Sequence, residues 1–124
     1  MKSAGMAGFL PIATPLHAYP GRKPKLTEEE KNKCFLFQGD SITDGNRGRN
    51  KDPNHILGHG YAFSVSSRIG ADFPKAGFTF YNRGISGNTV VDLKGRWQED
   101  TLDLNPGVLS VLVGINDVAA IVQV

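Results

Sequence analysis

The chain has 124 residues, and its 14 Lys and Arg against 12 Asp and Glu leave a formal charge of only +2. This length admits one domain and excludes a large multidomain assembly. Hydrophobic residues make up 40% of the chain and charged residues 21%, a balance that excludes a disordered chain and favours a packed core. The single cysteine, Cys34, excludes an internal disulfide and, beside apolar neighbours, is expected to be a buried thiol.

The basic charge is concentrated at the start of the chain. Residues 1–33 carry six basic and three acidic side chains, whereas residues 34–124 carry eight and nine. A nucleic-acid-binding surface needs Lys and Arg clustered on a folded face. The nearly neutral body therefore argues against a nucleic-acid partner.

Residues 1–18 have the outline of an export signal. A positive charge at Lys2 precedes a mildly apolar stretch, and a small residue follows at Ala18. The stretch is too short to span a bilayer. We interpret it as an export-signal remnant and expect a periplasmic or secreted protein, with a disordered cytosolic tail as the alternative.

Residues 19–33 are rich in charge and proline without periodicity, which predicts a linker. The domain itself is expected over residues 34–124, where strand and helix patterns alternate: strand 34–38, helix 61–71, strand 78–81, a helix from about Asn88, and strand 108–113. The last strand is apolar on both faces, as in a buried parallel sheet. This order predicts an α/β fold with right-handed crossovers.

Each predicted helix has a recognisable face or cap. In the first helix, Tyr61, Val65 and Ile69, with Ala62 alongside, recur at helical spacing and predict an amphipathic helix. For the second helix, Asn88 is the expected N-cap, and Trp97 is expected in the core.

Polar, glycine-containing clusters follow all three predicted strands. They are Gly39–Ser41, Gly84–Asn88 and Gly114–Asp117. The carboxyl ends of parallel strands lie at one edge of the sheet, and ligands of open α/β sheets bind outside that edge. We therefore expect the three clusters to converge on one site.

The chemistry of these clusters suits acyl transfer. A serine hydroxyl becomes a nucleophile when a base takes its proton, and the oxyanion formed by its attack needs aimed hydrogen-bond donors. Ser41 N–H, Gly87 N–H and the side-chain amide of Asn116 are three candidates for such donors.

Three motifs carry a family resemblance. The sequences GDSITD (39–44), RGISGN (83–88) and GIND (114–117), in this order and spacing, resemble the first three motif blocks of the SGNH (GDSL-like) hydrolases. The resemblance implies that Ser41 is the nucleophile and that Ser41, Gly87 and Asn116 supply the oxyanion donors, with Gly87 rather than Gly84 in the glycine role.

The same resemblance implies a flavodoxin-like three-layer α/β/α sandwich with a parallel sheet, and ester hydrolysis through an acyl-enzyme. The family's fourth block, an Asp-x-x-His near its C-terminus, is missing, and about three of the family's five strands are present. We interpret residues 34–124 as the N-terminal portion of such a domain. The 124 residues by themselves are expected to lack the general base and to be nearly inactive.

One Asp-x-x-His spacing does occur, at Asp52–His55, but in the loop before the first long helix. We expect His55 to be a solvated or substrate-contacting histidine, with the role of base as the alternative. His59, between two glycines, has the same expectation.

Several other polar residues near the expected cleft have alternative interpretations. Asp40 is expected either to orient the nucleophile turn or to cap a helix. Asp44 and Asp117 are expected to be turn residues rather than metal ligands, since no cluster has zinc or calcium spacing. Three arginines, Arg47, Arg49 and Arg83, are candidates for contact with an anionic substrate. A solvated surface role is the preferred interpretation for them.

No phosphate-binding glycine loop occurs, so a nucleotide enzyme is disfavoured and no cofactor or metal is expected. The sequence thus predicts a serine esterase that removes acyl groups, for example acetyl groups, from carbohydrate or other small esters. The alternative is a non-catalytic carbohydrate-binding protein that keeps the cleft. The sequence does not indicate an oligomeric state.

Overall fold

The computed structural model describes residues 25–49 and 56–122. The expected export signal (1–18) and the Asp52–His55 pair fall outside these ranges. The main elements, in chain order, are β1 (Cys34–Gly39), α1 (Ser41–Asp44), α2 (Tyr61–Asp72), β2 (Thr79–Asn82), α3 (Val90–Gly95), β3 (Val108–Leu112) and α4 (Ile115–Val122). A 3-10 turn at Glu28–Glu30 precedes β1, and a π-helical turn at Gln98–Leu102 follows α3.

The three described strands form one parallel sheet in the order β2-β1-β3. Phe37 of the central strand β1 pairs with Asn82 of β2 on one side and with Ser110 of β3 on the other. The chain leaves β1 towards β2 and then crosses back over β1 to reach β3. This reversal places a topological switch point, where α/β proteins bind ligands, at the carboxyl end of β1.

Helical segments cover both faces of the sheet. On one face the ring of Phe37 packs against Tyr61 of α2, with ring centroids 5.7 Å apart. On the other face Gln38 Nε2 donates to Asp100 O at 3.2 Å and to Thr101 Oγ1 at 3.1 Å. The predicted three-layer α/β/α arrangement is therefore confirmed for the described part of the chain.

Polar side chains are buried together with a small apolar core. The buried apolar residues are Leu36, Phe37, Ala62, Ala76 and Leu93, and the buried polar ones are Gln38, Asp40, Thr43, Asp44, Ser66, Asn82 and Thr101. Burying a polar group costs free energy unless it is hydrogen-bonded. Most of these polar side chains lie at the carboxyl edge of the sheet, where they fix the loops that follow the strands.

The last strand is parallel, as predicted, but it is not buried on both faces. Val111 and Leu112 of β3 are 47% and 43% exposed, and Ile121 of α4 is 81% exposed. Strand side chains are shielded by the layers above and below the sheet, and the described helices leave these positions of β3 open; β3 is also an edge strand, with β1 as its one neighbour among the described residues.

The helices differ from the predictions in three details, of which one is that Trp97, expected in the core, is half-buried. In α2, Ala62 is buried, in agreement with the predicted face, whereas Val65 is 39% exposed and Ser66 is buried instead; the small side chains of Ala62 and Ser66 let the helix lie close to its neighbours. The N-cap of α3 is Thr89 rather than Asn88. Thr89 and Asp92 form a reciprocal capping box, which satisfies donors at the helix start more fully than an asparagine cap alone.

Cys34 is a free thiol and is half-buried rather than buried. None of the helices in the described ranges combines the length and the hydropathy that a membrane span requires.

Candidate active site

Ser41 lies at the first position of a short helix directly after the central strand. The Asp40 carboxylate accepts a hydrogen bond from Ile42 N–H at 3.0 Å and caps α1. Of the two roles considered for Asp40, the cap is the one formed here. Asp40 is 1% exposed, whereas Ser41 beside it is exposed to solvent.

The second cluster is built around the buried side chain of Asn82, at the end of β2. Asn82 Nδ2 donates to Thr43 O at 2.7 Å and to Leu57 O at 2.9 Å, while Asn82 Oδ1 accepts from Gly84 N–H at 2.9 Å. A Cβ at Gly84 would lie 2.7 Å from the backbone carbon of Thr43, so this position requires glycine for packing. The N–H of Gly84 is therefore occupied in holding the loop.

Gly87 has the opposite character. It is exposed, its φ of 85° lies in the left-handed region, and a Cβ there would meet no atom within 4 Å. Glycine is required at this position for its backbone conformation and not for space. Among the hydrogen bonds of the described residues, neither the Gly87 N–H nor the Ser41 N–H is used as a donor. Both remain available to a ligand.

The third cluster, Gly114–Asp117, is hydrogen-bonded to the end of the second cluster and to the start of α3. Asn116 Nδ2 donates to Asn88 O at 2.8 Å, which orients the side-chain amide and leaves its second N–H for another acceptor. The carboxylate of Asp117 accepts from Val90 N–H at 3.1 Å. Asp117 therefore anchors the start of α3 and is more than a turn residue.

Backbone bonds between the strand ends complete the arrangement. Ile85 N–H donates to Gly39 O at 3.0 Å, and Asp40 N–H donates to Leu112 O at 3.3 Å. The loops that carry Ser41, Gly87 and Asn116 are thus tied together at one edge of the sheet. An exposed serine hydroxyl can carry out acyl transfer once a base is supplied, and three donors at the same edge of the sheet can stabilise the oxyanion.

Asp44 is a buried acceptor in this region. Its Oδ2 accepts from Ser86 Oγ–H at 2.7 Å, Ser86 N–H at 3.1 Å and the Arg49 guanidinium at 2.8 Å, and Oδ1 accepts from Arg47 N–H at 3.2 Å. Burial acts to raise the pKa of Asp44, but the hydrogen bonds from Arg49, Ser86 and Arg47 outweigh it and lower the pKa from 3.8 to about 2. The described residues contain no cluster able to hold a metal ion.

The arginines considered as substrate contacts take part in internal bonds. Arg47 Nε donates to Gly84 O at 2.8 Å, and Arg49 pairs with Asp44. Arg83 Nε lies 3.8 Å from the carboxylate of Asp100, too far for a hydrogen bond, and is buried without a hydrogen-bond partner among the described residues; the guanidinium carbon lies 5.9 Å from the centroid of the Tyr81 ring. These contacts give all three arginines structural partners.

Sequence reasoning missed Arg96, which joins two of the three clusters. Its guanidinium donates to Gly39 O at 3.2 Å, Arg83 O at 2.8 Å and Asn88 Oδ1 at 2.8 Å. It is held by an ion pair to Asp100 at 2.9 Å. The one local signal in the sequence is the i, i+4 spacing of Arg96 and Asp100, which by itself indicates only a helical ion pair.

Comparison with known proteins places this geometry in a family context. Residues 37–123 match the family model described as GDSL-like Lipase/Acylhydrolase. A curated acetylxylan esterase from Geobacillus stearothermophilus is 47% identical over 86 residues, which are 68% of this chain and 39% of that protein.

The chain also resembles solved structures of an esterase and a GDSL-like lipase. The acetylxylan esterase of Geobacillus stearothermophilus matches with a TM-score of 0.67 and 42% identity over 74% of this chain and 43% of that one. A putative GDSL-like lipase from Parabacteroides merdae matches with a TM-score of 0.70 and 39% identity over 76% and 45%. The chain therefore spans less than half of the length of these relatives. Structures of the esterase include catalytic mutants in which an aspartate and, three residues later, a histidine are each replaced by alanine.

Proposed function

Because the chain belongs to the GDSL-like lipase/acylhydrolase family, we propose that the protein is a serine esterase that hydrolyses carboxylic esters through an acyl-enzyme. The substrate class we infer is an acetyl ester on a carbohydrate. The similarity to an acetylxylan esterase, at 47% identity, supports this choice of acyl group and alcohol. The export-signal pattern of residues 1–18 supports a substrate met outside the cytoplasm.

In the proposed reaction, Ser41 Oγ attacks the ester carbonyl carbon while its proton passes to a general base. The carbonyl oxygen becomes an oxyanion that accepts hydrogen bonds from Ser41 N–H, Gly87 N–H and the Asn116 amide. Collapse of this intermediate breaks the bond to the sugar oxygen, which leaves as an alcohol with the proton from the base. Water then attacks the acyl-enzyme by the same route and releases the carboxylic acid.

Proton removal from Ser41 requires a general base. We assign this role to a histidine oriented by an aspartate three residues earlier, by analogy with the catalytic mutants of the similar esterase. We place this pair outside residues 25–49 and 56–122.

The observation that carries the proposal is the exposed serine at the helix start beside two unused backbone N–H groups and an oriented amide. Removal of one oxyanion donor costs about 10²- to 10³-fold in rate in enzymes of this chemistry. A site that only bound carbohydrate would gain nothing from a nucleophile placed among such donors.

The test uses the product of the complete reading frame with 4-nitrophenyl acetate and acetylated xylo-oligosaccharides as substrates. Ser41→Ala is expected to lower kcat by about 10³-fold or more, because the nucleophile is lost. The thermal midpoint should not change, because Ser41 is exposed. Ser67→Ala, at an exposed serine of α2, is the matched control and should keep wild-type turnover.

Turnover by Ser41→Ala at the wild-type rate would contradict the proposal. Carbohydrate binding by the wild-type protein without turnover of either ester would favour the non-catalytic carbohydrate-binding alternative.

A further inference from the structure

The geometry points to Asp44 as a positioning residue that holds the Gly87 amide in place for the oxyanion, an inference that rests on the proposed esterase function. Asp44 and Ser41 lie at the two ends of the same four-residue helix, α1. The nucleophile and the carboxylate are therefore parts of one rigid turn. The carboxylate reaches from this turn to the loop that carries Gly87.

The contact to that loop is made at the residue just before Gly87. Both the N–H and the Oγ–H of Ser86 donate to the same oxygen, Asp44 Oδ2, at 3.1 and 2.7 Å. Two bonds from one residue fix its backbone and its side chain together. Ser86 and Gly87 lie in a turn that Asn88 N–H closes by donating to Ile85 O at 3.2 Å, so holding Ser86 in place also restricts the direction of the Gly87 N–H.

The residue just after Gly87 is held independently. Asn88 O accepts from Asn116 Nδ2 at 2.8 Å, and Asn88 Oδ1 accepts from Arg96 Nε at 2.8 Å. Gly87 thus lies between two anchored residues. No atom lies within 4 Å of the position that a Cβ on Gly87 would take. A glycine without these anchors would sample many backbone conformations.

The carboxylate that provides the first anchor is itself held rigidly. Asp44 is 3% exposed, and its carboxylate also accepts from the Arg49 guanidinium at Oδ2 and from Arg47 N–H at Oδ1. A buried carboxylate is retained only where such partners compensate for lost hydration. Oxyanion stabilisation depends on donors that are already aimed before the charge develops. Asp44, through its bonds to Ser86, holds the Gly87 N–H in the direction that the oxyanion requires.

The experiment is a graded series at Asp44 in the product of the complete reading frame. Asp44→Ala removes both bonds to Ser86 and is expected to lower kcat by about 10²-fold, since a displaced group at a reacting centre costs about this much. The KM should stay within about threefold of wild type, because the donor acts mainly in the transition state. Asp44→Asn keeps an oxygen acceptor and should recover part of the lost kcat.

The matched control is Glu30, whose carboxylate accepts from the N–H and hydroxyl of Thr27 at 2.8 and 3.1 Å. This pair repeats the Asp44–Ser86 bonding pattern at the opposite edge of the sheet, before β1. Glu30→Ala and Glu30→Gln should leave kcat and KM at wild-type values. Equal kcat for wild type and a folded Asp44→Ala would overturn the inference, as would a rise in KM alone.

A second measurement does not depend on the variants folding or on the substrate. In the wild-type protein, the amide of Ser86 should exchange with solvent deuterium at least about tenfold more slowly than that of Gly87, because only the former is hydrogen-bonded. Equal exchange rates would overturn the inference. A wild-type protein that shows this protection but hydrolyses neither ester would instead contradict the proposed esterase function.

Discussion

At the level of single residues, the site is organised by buried polar side chains. Asp40, Asp44 and Asn82 are each 5% exposed or less, yet all three bond to backbone N–H or C=O groups around Ser41 and Gly84. Leaving such a group without its partner costs about 1–3 kcal/mol. These residues therefore couple the stability of the loops to the geometry of the site.

This coupling predicts a specific response of stability to acid. The folded chain lowers the pKa of Asp44 from 3.8 to about 2, against burial, through Arg49, Ser86 and Arg47. Because the folded pKa lies below the unfolded one, the ionised carboxylate stabilises the fold fully above about pH 4. This contribution, about 2 kcal/mol, is lost as the pH falls through about 2.

The check is urea unfolding of wild type and Asp44→Asn at intervals from pH 6 to pH 2. In wild type the free energy of unfolding should fall between pH 4 and pH 2 in part because Asp44 becomes protonated. Asp44→Asn should lack that part of the decrease. Asp103→Asn, at an exposed aspartate that accepts from Gln98 Nε2, is the control and should keep that part of the slope. The same slope for wild type and Asp44→Asn would show that this carboxylate is not stabilised by folding.

At the level of elements, α3 and the turn after it hold the sheet edge together from one face. Arg96 follows α3 directly and bonds to the end of β1 at Gly39 O and to the second loop at Arg83 O and Asn88 Oδ1. Asp100, in the π-helical turn, fixes the guanidinium. A planar guanidinium with five donors can satisfy these acceptors together, which an ammonium group cannot.

Arg96→Lys should therefore destabilise the protein by about 1–3 kcal/mol, since an ammonium group cannot reach all of these acceptors and leaves part-buried ones, such as Arg83 O, without their donor. Arg68→Lys is the matched control, because Arg68 also pairs with an aspartate four residues later, at 2.6 Å, but is 67% exposed. This change should cost less than about 0.5 kcal/mol. The measurement is urea unfolding of both variants. If Arg96→Lys lowers the free energy of unfolding no more than Arg68→Lys does, the hydrogen bonds of the Arg96 guanidinium do not hold these elements together.

At the level of the whole molecule, local patterns predicted the strand and helix order and the convergence of the three clusters. The parallel sheet and the placement of Ser41, Gly87 and Asn116 at its carboxyl edge follow from that order, because topology fixes where strand ends lie. The resemblance of the motifs to the SGNH hydrolases agrees with the match over residues 37–123.

The features that could not be predicted depend on contacts between residues far apart in the chain. Asp44 meets Ser86 across 42 positions, and Arg96 meets Gly39 across 57. No periodicity or local spacing encodes such a pair. The exposure of β3 was missed for a related reason, since its apolar pattern shows what the strand can pack against but not which neighbours are present.

The central claim is that Ser41 is the nucleophile of an esterase, and covalent labelling tests it most directly. The product of the complete reading frame is treated with an organophosphonate that reacts with activated serines, digested with trypsin and mapped by mass spectrometry. Tryptic peptide 34–47 contains Ser41 as its one serine, so an adduct is readily assigned. The account predicts one adduct, on this peptide, and none in Ser41→Ala. An adduct on another serine, or no adduct at all, would contradict it.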